Sequence, residues 1–434
     1  MIQIPKYLYI LFFTLLVSCN SDEGGNQGPG DNSGVQPNIL LIIADDLGKD
    51  ALTGFSEGSI KPNTPNIDQF RTSGIQFTNY WVYPTCSPTR ASIITGKYGY
   101  RTGVKFANGT LSTDEKVLQE WVNEESDNAY ATAIIGKWHL SGEISDVDPE
   151  SDGIGDYAGL VRGAVQDYSR WQLYEDGMSN LETGYITEVL SDKAIQWIDE
   201  QPQPWFLWLA YNAPHTPFHL PPSEMHSQGD LPEYEDGMDA LPYYMAAIEA
   251  MDYQIGRVLE SLSEEDRENT IILFMGDNGS PGQVAQSPYT RTTSKGSLYQ
   301  GGINVPLFIS GKGVSRTGQS EDALVSSTDL YTTIGQLAGS EVNELHDSKS
   351  FLSLLTSDVE HRNYQYSEMD DGTNDQWAIS NRIYKLIVDA DGGEELYHLI
   401  NDPYEEQDLM LGSLDTDALA AKSDLENELG RIRN

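Results

Sequence analysis

The chain has 434 residues, 38% of them hydrophobic, and carries 26 basic against 67 acidic side chains for a net charge of −41. That balance argues against a nucleic-acid ligand and describes a strongly solvated surface. Two cysteines exclude a disulfide framework, which a chain of this size does not need in order to bury a core.

At the N-terminus, Lys6 precedes an apolar run, Tyr7 to Val17, too short for a comfortable membrane span and suited to an export signal. Leu16-Val17-Ser18-Cys19 resembles a bacterial lipobox, in which the signal is cut before a cysteine that is then lipidated. The alternative is an ordinary signal peptide with an incidental Cys19. Residues 20–36 are almost devoid of apolar side chains and rich in Asn, Ser, Asp, Gly and Pro, the composition of a flexible tether. The expectation is a lipoprotein signal over 1–18 and a tether over 19–36. It implies an exported protein, periplasmic or at the cell surface, held to the outer membrane by its lipid alone.

The globular part begins with Asn38-Ile39-Leu40-Leu41-Ile42-Ile43-Ala44, which leads directly into Asp45-Asp46. Three later runs have the same design. Ala131 to Gly136 leads into Lys137-Trp138-His139, Phe206 to Tyr211 into Asn212-Ala213-Pro214-His215-Thr216-Pro217, and Ile271 to Gly276 into Asp277-Asn278-Gly279. Continuous rather than alternating apolar runs are the mark of strands covered on both faces. Helical stretches intervene at Ile186–Glu200 and Tyr244–Ser263, so the pattern predicts an α/β fold with a large, mostly parallel sheet between helices. In such sheets ligands bind beyond the carboxyl ends of strands, which gathers Asp45, Asp46, Lys137, His139, His215, Asp277 and Asn278 on one rim. Singly, any of these could be a solvated loop residue; four coincident strand ends argue otherwise. Asp45, Asp46, Asp277 and Asn278 are all oxygen donors, which suits a hard cation, Ca²⁺ or Mg²⁺.

Between the first two runs lies Cys86-Ser87-Pro88-Thr89-Arg90, continuing as Ala91-Ser92-Ile93-Ile94-Thr95-Gly96. Pro88 is placed as a first helical residue with Ser87 as its cap, so Cys86 is expected just ahead of a helix N-terminus. The helix dipole there favours an anion by roughly 0.3–1 kcal/mol, a minor aid beside nearby cations. On its own, a lone cysteine is as readily a small buried hydrophobe.

Taken together these segments resemble the type I sulfatases of the alkaline phosphatase superfamily. The resemblance rests on Cys86-x-Pro88-x-Arg90, Asp45-Asp46, Gly136-Lys137-Trp138-His139, Pro214-His215-Thr216-Pro217 and Gly276-Asp277-Asn278-Gly279. It extends to Lys295-Gly296-Ser297-Leu298-Tyr299-Gln300-Gly301-Gly302 with Val305-Pro306, and to Glu395 to Pro403. Gln300 departs from the glutamate common at that place, which leaves the role of position 300 open. The resemblance implies an alkaline-phosphatase-like fold and the hydrolysis of sulfate esters. It implies that a maturase oxidises Cys86 to formylglycine, whose hydrate attacks sulfur and later expels sulfate. An oxygen of that modified residue would complete the shell of a calcium ion held by Asp45, Asp46, Asp277 and Asn278. Arg90 would hold the modified residue and offset the acidic ligands, and Lys137 and Lys295 would bind sulfate oxygens. His139 would take the hydroxyl proton during release, and His215, with Lys295, would protonate the leaving oxygen. Two rivals follow from the same residues: a formylglycine-dependent phosphodiesterase or phosphonate ester hydrolase, and an inactive surface lipoprotein that binds glycans.

The catalytic domain is expected over 37–345. Beyond a helix at Ser327–Gly339, residues 346–434 read as a small α+β subdomain with an antiparallel sheet that includes Tyr384–Val388 and a closing helix from Thr416. The acidic, aromatic insertion Ser141–Met178 offers Tyr168, Trp171 and Tyr174 either to sugar rings or to the core. Asp146-x-Asp148 lacks calcium-loop spacing, and Asn108-Gly109-Thr110 is a glycosylation sequon without relevance to a bacterial lipoprotein. A sulfated carbohydrate is the expected partner, reached from a tethered position outside the cell.

Overall fold

In the computed structural model the described residues are 36–142, 149–201 and 204–433. The export segment with Cys19, the tether as far as Val35, and Asp146 and Asp148 lie outside them.

Ten strands form the main sheet: β1 (Asn38–Ala44), β2 (Ile75–Phe77), β3 (Ala131–Lys137), β4 (Asp156–Leu160), β5 (Trp171–Glu175), β6 (Met178–Glu182), β7 (Trp205–Tyr211), β8 (Thr270–Gly276), β9 (Leu307–Gly311) and β10 (Gln319–Glu321). Their order is β10-β2-β9-β8-β1-β7-β3-β4-β5-β6. From β8 across to β4 all neighbours are parallel, whereas β9 and the β5–β6 hairpin are antiparallel. The apolar runs explain the centre. Along β1, Ile39, Leu41 and Ile43 join one core while Leu40, Ile42 and Ala44 join the other, and all six are fully buried. Each of the Ile and Leu side chains contributes about 1.5–3 kcal/mol by leaving water. The helices Cys86–Thr95 and Asp329–Leu337 cover the first face; Ile186–Asp199 and Leu241–Ser261 cover the second.

The C-terminal part is a four-stranded antiparallel meander, β11 (Gln365–Asp370), β12 (Asp375–Ser380), β13 (Tyr384–Asp389) and β14 (Glu394–His398). The helix Thr416–Arg433 lays Leu425, Leu429 and Ile432 on Tyr366, Ile379, Leu386 and Leu396. This sheet is fastened to the main body by polar contacts. Ser367 donates to the Val82 carbonyl (2.9 Å) and Gln365 to those of Asn79 and Val325 (both 2.7 Å). Buried Lys385 pairs with Glu405, which in turn accepts from the Gln300 amide at 2.6 Å. The Gln300 side chain faces Asn304 (2.7 Å), and Asn304 holds buried Lys49 (2.6 Å). Position 300 therefore joins a packing network between the lysine loop and the C-terminal sheet.

Tyr168, Trp171 and Tyr174 are 2%, 3% and 8% exposed and pack into the core, with Trp171 and Tyr174 also lining a cavity beside the β5–β6 hairpin.

Candidate active site

The parallel strands end in register. The Asp277 amide donates to the Ala44 carbonyl and the Asp45 amide to that of Ala213, both at 3.1 Å, which draws the tips of β1, β7 and β8 together. Asp46 sits at φ 70° and His139 at φ 60°, in the left-handed region that is uncommon for residues other than glycine, although Asp and His are among those that tolerate it. The Asp46 amide donates to Asp277 Oδ1 (3.0 Å), and Tyr244 donates to the Asp46 carbonyl (2.7 Å). These bonds hold the turn in place.

Asp45, Asp46, Asp277 and Asn278 are at most 1% exposed and form one cluster. Donor atoms of Asp45, Asp277 and Cys86 lie within 4.8 Å of one another, as do those of Asp45, Asp46 and His215. Asp45 Oδ1 and Asn278 Oδ1 are buried with no hydrogen-bond partner among the described residues. Leaving such oxygens unsatisfied costs about 1–3 kcal/mol each, and coordination of a hard cation is what would satisfy both. The donor set fits such an ion.

The helix Cys86–Thr95 begins two residues earlier than the sequence suggested. Thr85 is its N-cap and Cys86 its first residue; Pro88 fits in the third position because the first N–H groups of a helix need no intrahelical acceptor. Ser87 is not a cap. Its hydroxyl donates to the His139 carbonyl (2.9 Å) and accepts from the Asn108 amide (3.2 Å). Cys86 Sγ lies 3.1 Å from His139 Nδ1, and His139 Nε2 lies 2.8 Å from Asn108 Oδ1. That second bond places the ring proton on Nε2 and leaves the Nδ1 lone pair facing Cys86. Burial, with Lys137 and Arg90 close by, lowers the imidazole to about 2, so it is neutral. Burial pushes the Cys86 thiol up, with Lys137 opposing.

Arg90 is fully buried and directs two donors at Asp277 Oδ2 (2.8 and 3.2 Å) and a third at the Lys137 carbonyl (2.7 Å). It thus offsets the acidic cluster, and its close contacts are with Asp277 and Lys137 rather than with Cys86. Lys137 Nζ meets Asp45 Oδ2 at 2.5 Å, and Lys295 pairs with Asp46 Oδ1. Burial works against all three cations, yet Asp277, Asp45 and Asp46 hold Arg90, Lys137 and Lys295 respectively above their ordinary values. Burial raises Asp45 too, but Lys137, His215, Arg90 and Lys295 outweigh it and keep the carboxyl well below the usual range. Asp277 is raised to about 6 by burial and by Asp45, Arg90 opposing. Three carboxylates thus face three permanent cations. A divalent ion would leave two positive charges at the rim, a setting for an anion.

His215 turns Nδ1 onto the Thr216 carbonyl (2.6 Å) and Nε2 toward Asp46 Oδ2 (3.7 Å). It lines a cavity of about 320 Å³ together with Cys86, Asn108, His139, Arg162 and Lys295. Every residue singled out from the sequence for the site is therefore in one place. Two were missed. Asn108, set aside with its sequon, orients His139. Arg162 follows β4, whose five-residue run Asp156–Leu160 ends on the same rim as the longer strands. The apolar Ala158-Gly159-Leu160-Val161 before Arg162 was the available signal.

The sulfatase family profile matches residues 37–340, and that of the N-sulphoglucosamine sulphohydrolase C-terminal region matches 291–434. The chain belongs to the sulfatase family. It is 29% identical over 358 residues to the uncharacterized sulfatase YdeN of Escherichia coli (strain K12), covering 69% of this chain and 62% of that protein. It is likewise 29% identical over 341 residues to human N-acetylgalactosamine-6-sulfatase, covering 70% and 62%. The match thus spans less than two thirds of either relative. Among solved structures, Ps i-CgsB in complex with k-i-k-neocarrahexaose superposes with a TM-score of 0.78 at 28% identity, covering 91% of this chain and 92% of that one.

Proposed function

We propose that the protein is a sulfatase that hydrolyses sulfate esters of a sulfated carbohydrate, with Cys86 matured to formylglycine and one Ca²⁺ held by Asp45, Asp46, Asp277 and Asn278. The observation that carries this reading is the pair of orphaned oxygens, Asp45 Oδ1 and Asn278 Oδ1, in a buried acidic cluster beside Cys86. When bound, the ion supplies Lewis acidity and favours an anionic substrate. The chain's own residues do the rest. Lys295, part-exposed at the cavity, draws in the sulfate group. Lys137, wholly buried, sustains the charge of Asp45, and Arg90 that of Asp277. His139, neutral and locked by Asn108, accepts a proton at Nδ1 from the modified residue 86. His215, its Nδ1 held by the Thr216 carbonyl, presents Nε2 to the leaving oxygen. A carbohydrate substrate is supported by the names of two relatives: one is an N-acetylgalactosamine-6-sulfatase and another was solved with a neocarrahexaose.

Residues 37–345 serve as the catalytic domain and 346–434 as the subdomain beside it. A maturase that oxidises Cys86 is a required protein partner. Cys19 carries the lipid, and the tether holds the enzyme at the outer membrane. Loss of fatty-acid labelling in Cys19→Ala tests the anchor.

The test of function is sulfate release by maturase-coexpressed protein with calcium, against sulfated oligosaccharides, an aryl sulfate and a phosphodiester. Release of sulfate, with the phosphodiester untouched, is expected. Cleavage of the phosphodiester alone, or of nothing, refutes the assignment.

A further inference from the structure

We propose that Arg162 and Arg170 form a second anion subsite beside the sulfate pocket, one that reads a further sulfate or carboxylate on the sugar that leaves. The proposal rests on the sulfatase reading above and adds to it the charge of the leaving group.

The chain just after β4 is stitched to the segment that carries His139. Trp138 donates to the Leu160 carbonyl (3.0 Å) and His139 to that of Val161 (3.1 Å). Gly163 is pressed so closely on the imidazole that an added Cβ would lie 2.1 Å from His139 Nε2. This contact fixes Arg162 at the mouth of the cavity that holds Cys86, His215 and Lys295. Arg162 and Ala164 also line a second cavity, of about 540 Å³, that follows the β5–β6 hairpin and contains Arg170. Arg162 and Ala164 border both spaces. The second has the volume of a ligand site, with Leu160, Val165 and Leu181 as apolar walls.

Charge makes the case. Both arginines are exposed, and neither guanidinium has a hydrogen-bond or ion-pair partner among the described residues. In a chain with 67 acidic against 26 basic side chains, unpaired cations are the exception. Two exposed arginines elsewhere are paired, Arg101 with Asp347 at 3.0 Å and Arg382 with Asp322, while Arg291 has no partner among the described residues. The acids nearby are engaged with other partners. Asp167, the carboxylate that lines this groove, accepts from the Ser169 amide (2.7 Å), and Glu175 is held by Lys193 (2.6 Å). Glu182 accepts from the amides of Thr183 (2.7 Å) and Gly184 (2.8 Å). Among the described residues, therefore, two planar cations beside the reaction cavity have no partner. A guanidinium fork matches the paired oxygens of a sulfate or carboxylate.

The test compares matured wild type with Arg162→Gln, Arg170→Gln and the corresponding Lys variants. The substrates are three oligosaccharides of one length: singly sulfated, doubly sulfated, and sulfated with a neighbouring uronate. Wild type is expected to prefer a doubly anionic substrate in kcat/KM. Each Gln variant should lower that preference about tenfold, the size of one lost charge-assisted bond, with partial return in Lys. The preference should also weaken with salt in wild type and much less in the Gln variants. Preference for the sulfate or the uronate arm identifies the anion. A wild type indifferent to the second charge, or Gln variants with the wild-type preference, overturns the subsite while sulfate release from the singly sulfated arm upholds the sulfatase reading. If no substrate loses sulfate, the sulfatase reading fails and equilibrium binding decides the subsite. In a Cys86→Ala background the doubly anionic oligosaccharide should then bind about tenfold more weakly once Arg162→Gln is added, and equal affinity overturns it.

Discussion

At the carboxyl ends of β1, β3 and β8, Asp45, Lys137 and Asp277 are wholly buried and each meets an opposite charge within about 3 Å. Along the β4–β6 edge, Arg162 and Arg170 are exposed and meet none among the described residues. The two regions treat charge in opposite ways because their dielectrics differ. Buried ions act strongly on one another, and losing one partner leaves the other stranded at a cost of several kcal/mol. Exposed ions are screened and exchange partners freely. The centre therefore fixes the chemistry, and the edge is where selectivity can change without unfolding the protein.

The largest effect that would sharpen this contrast is at Cys86. Cys86→Ala should lower sulfate release on the order of 10⁴-fold or more, while urea denaturation shows a stability change within about 1 kcal/mol. Arg90→Ala should do the reverse in kind, lowering stability by about 3–5 kcal/mol because Asp277 is left buried and uncompensated. Arg162→Gln, by contrast, should stay within about 0.5 kcal/mol of wild type, and a loss as large as that of Arg90→Ala would break the contrast between the regions.

Calcium removal comes next. Chelation should lower the melting temperature of wild type, and calcium at 100 times its dissociation constant should restore about 2.7 kcal/mol. Asp45→Asn should show no such response. Next in size, Gly163→Ala should displace His139 and cut kcat about 10- to 100-fold, with Asn108→Ala about tenfold, both measured on an aryl sulfate.

A separate effect, read in stability against pH, concerns Lys49, buried away from the cavity and donating to Thr78 and Asn304 (2.6 Å each). Burial lowers its amine to about 7, Glu57 opposing. Above that value the folded state has released a proton that the unfolded chain keeps up to its ordinary value of 10.5, so this residue makes stability rise with pH across that window. Lys49→Met should flatten the rise in denaturation curves taken from pH 7 to 10; an unchanged slope would show that Lys49 stays charged.

The same contrast explains what could be read in the sequence. Four continuous apolar runs, each ending in charged residues, announced a parallel sheet and its rim, because burial on both faces leaves a direct trace in composition. Asp45, Asp46, Lys137, His139, His215, Asp277 and Asn278 followed from that one pattern. The start of the Cys86 helix was misplaced because proline is tolerated anywhere in the first turn. Asn108 and Arg162 escaped for a different reason: their importance depends on where a loop and a short strand pack against His139, which no local periodicity records. The aromatic insertion was ambiguous for want of a burial signal, and the fold assigns its rings to the core.

The measurement that bears most directly on the whole account is a calcium titration of sulfate release. Maturase-coexpressed protein, stripped of metal, would be supplied with a sulfated oligosaccharide and increasing calcium, and the peptide containing residue 86 weighed in parallel. The account predicts an aldehyde in place of the Cys86 thiol and sulfate release that saturates with calcium and is absent from Asp45→Asn. Release that proceeds unchanged in chelator, or with the thiol intact, would contradict it.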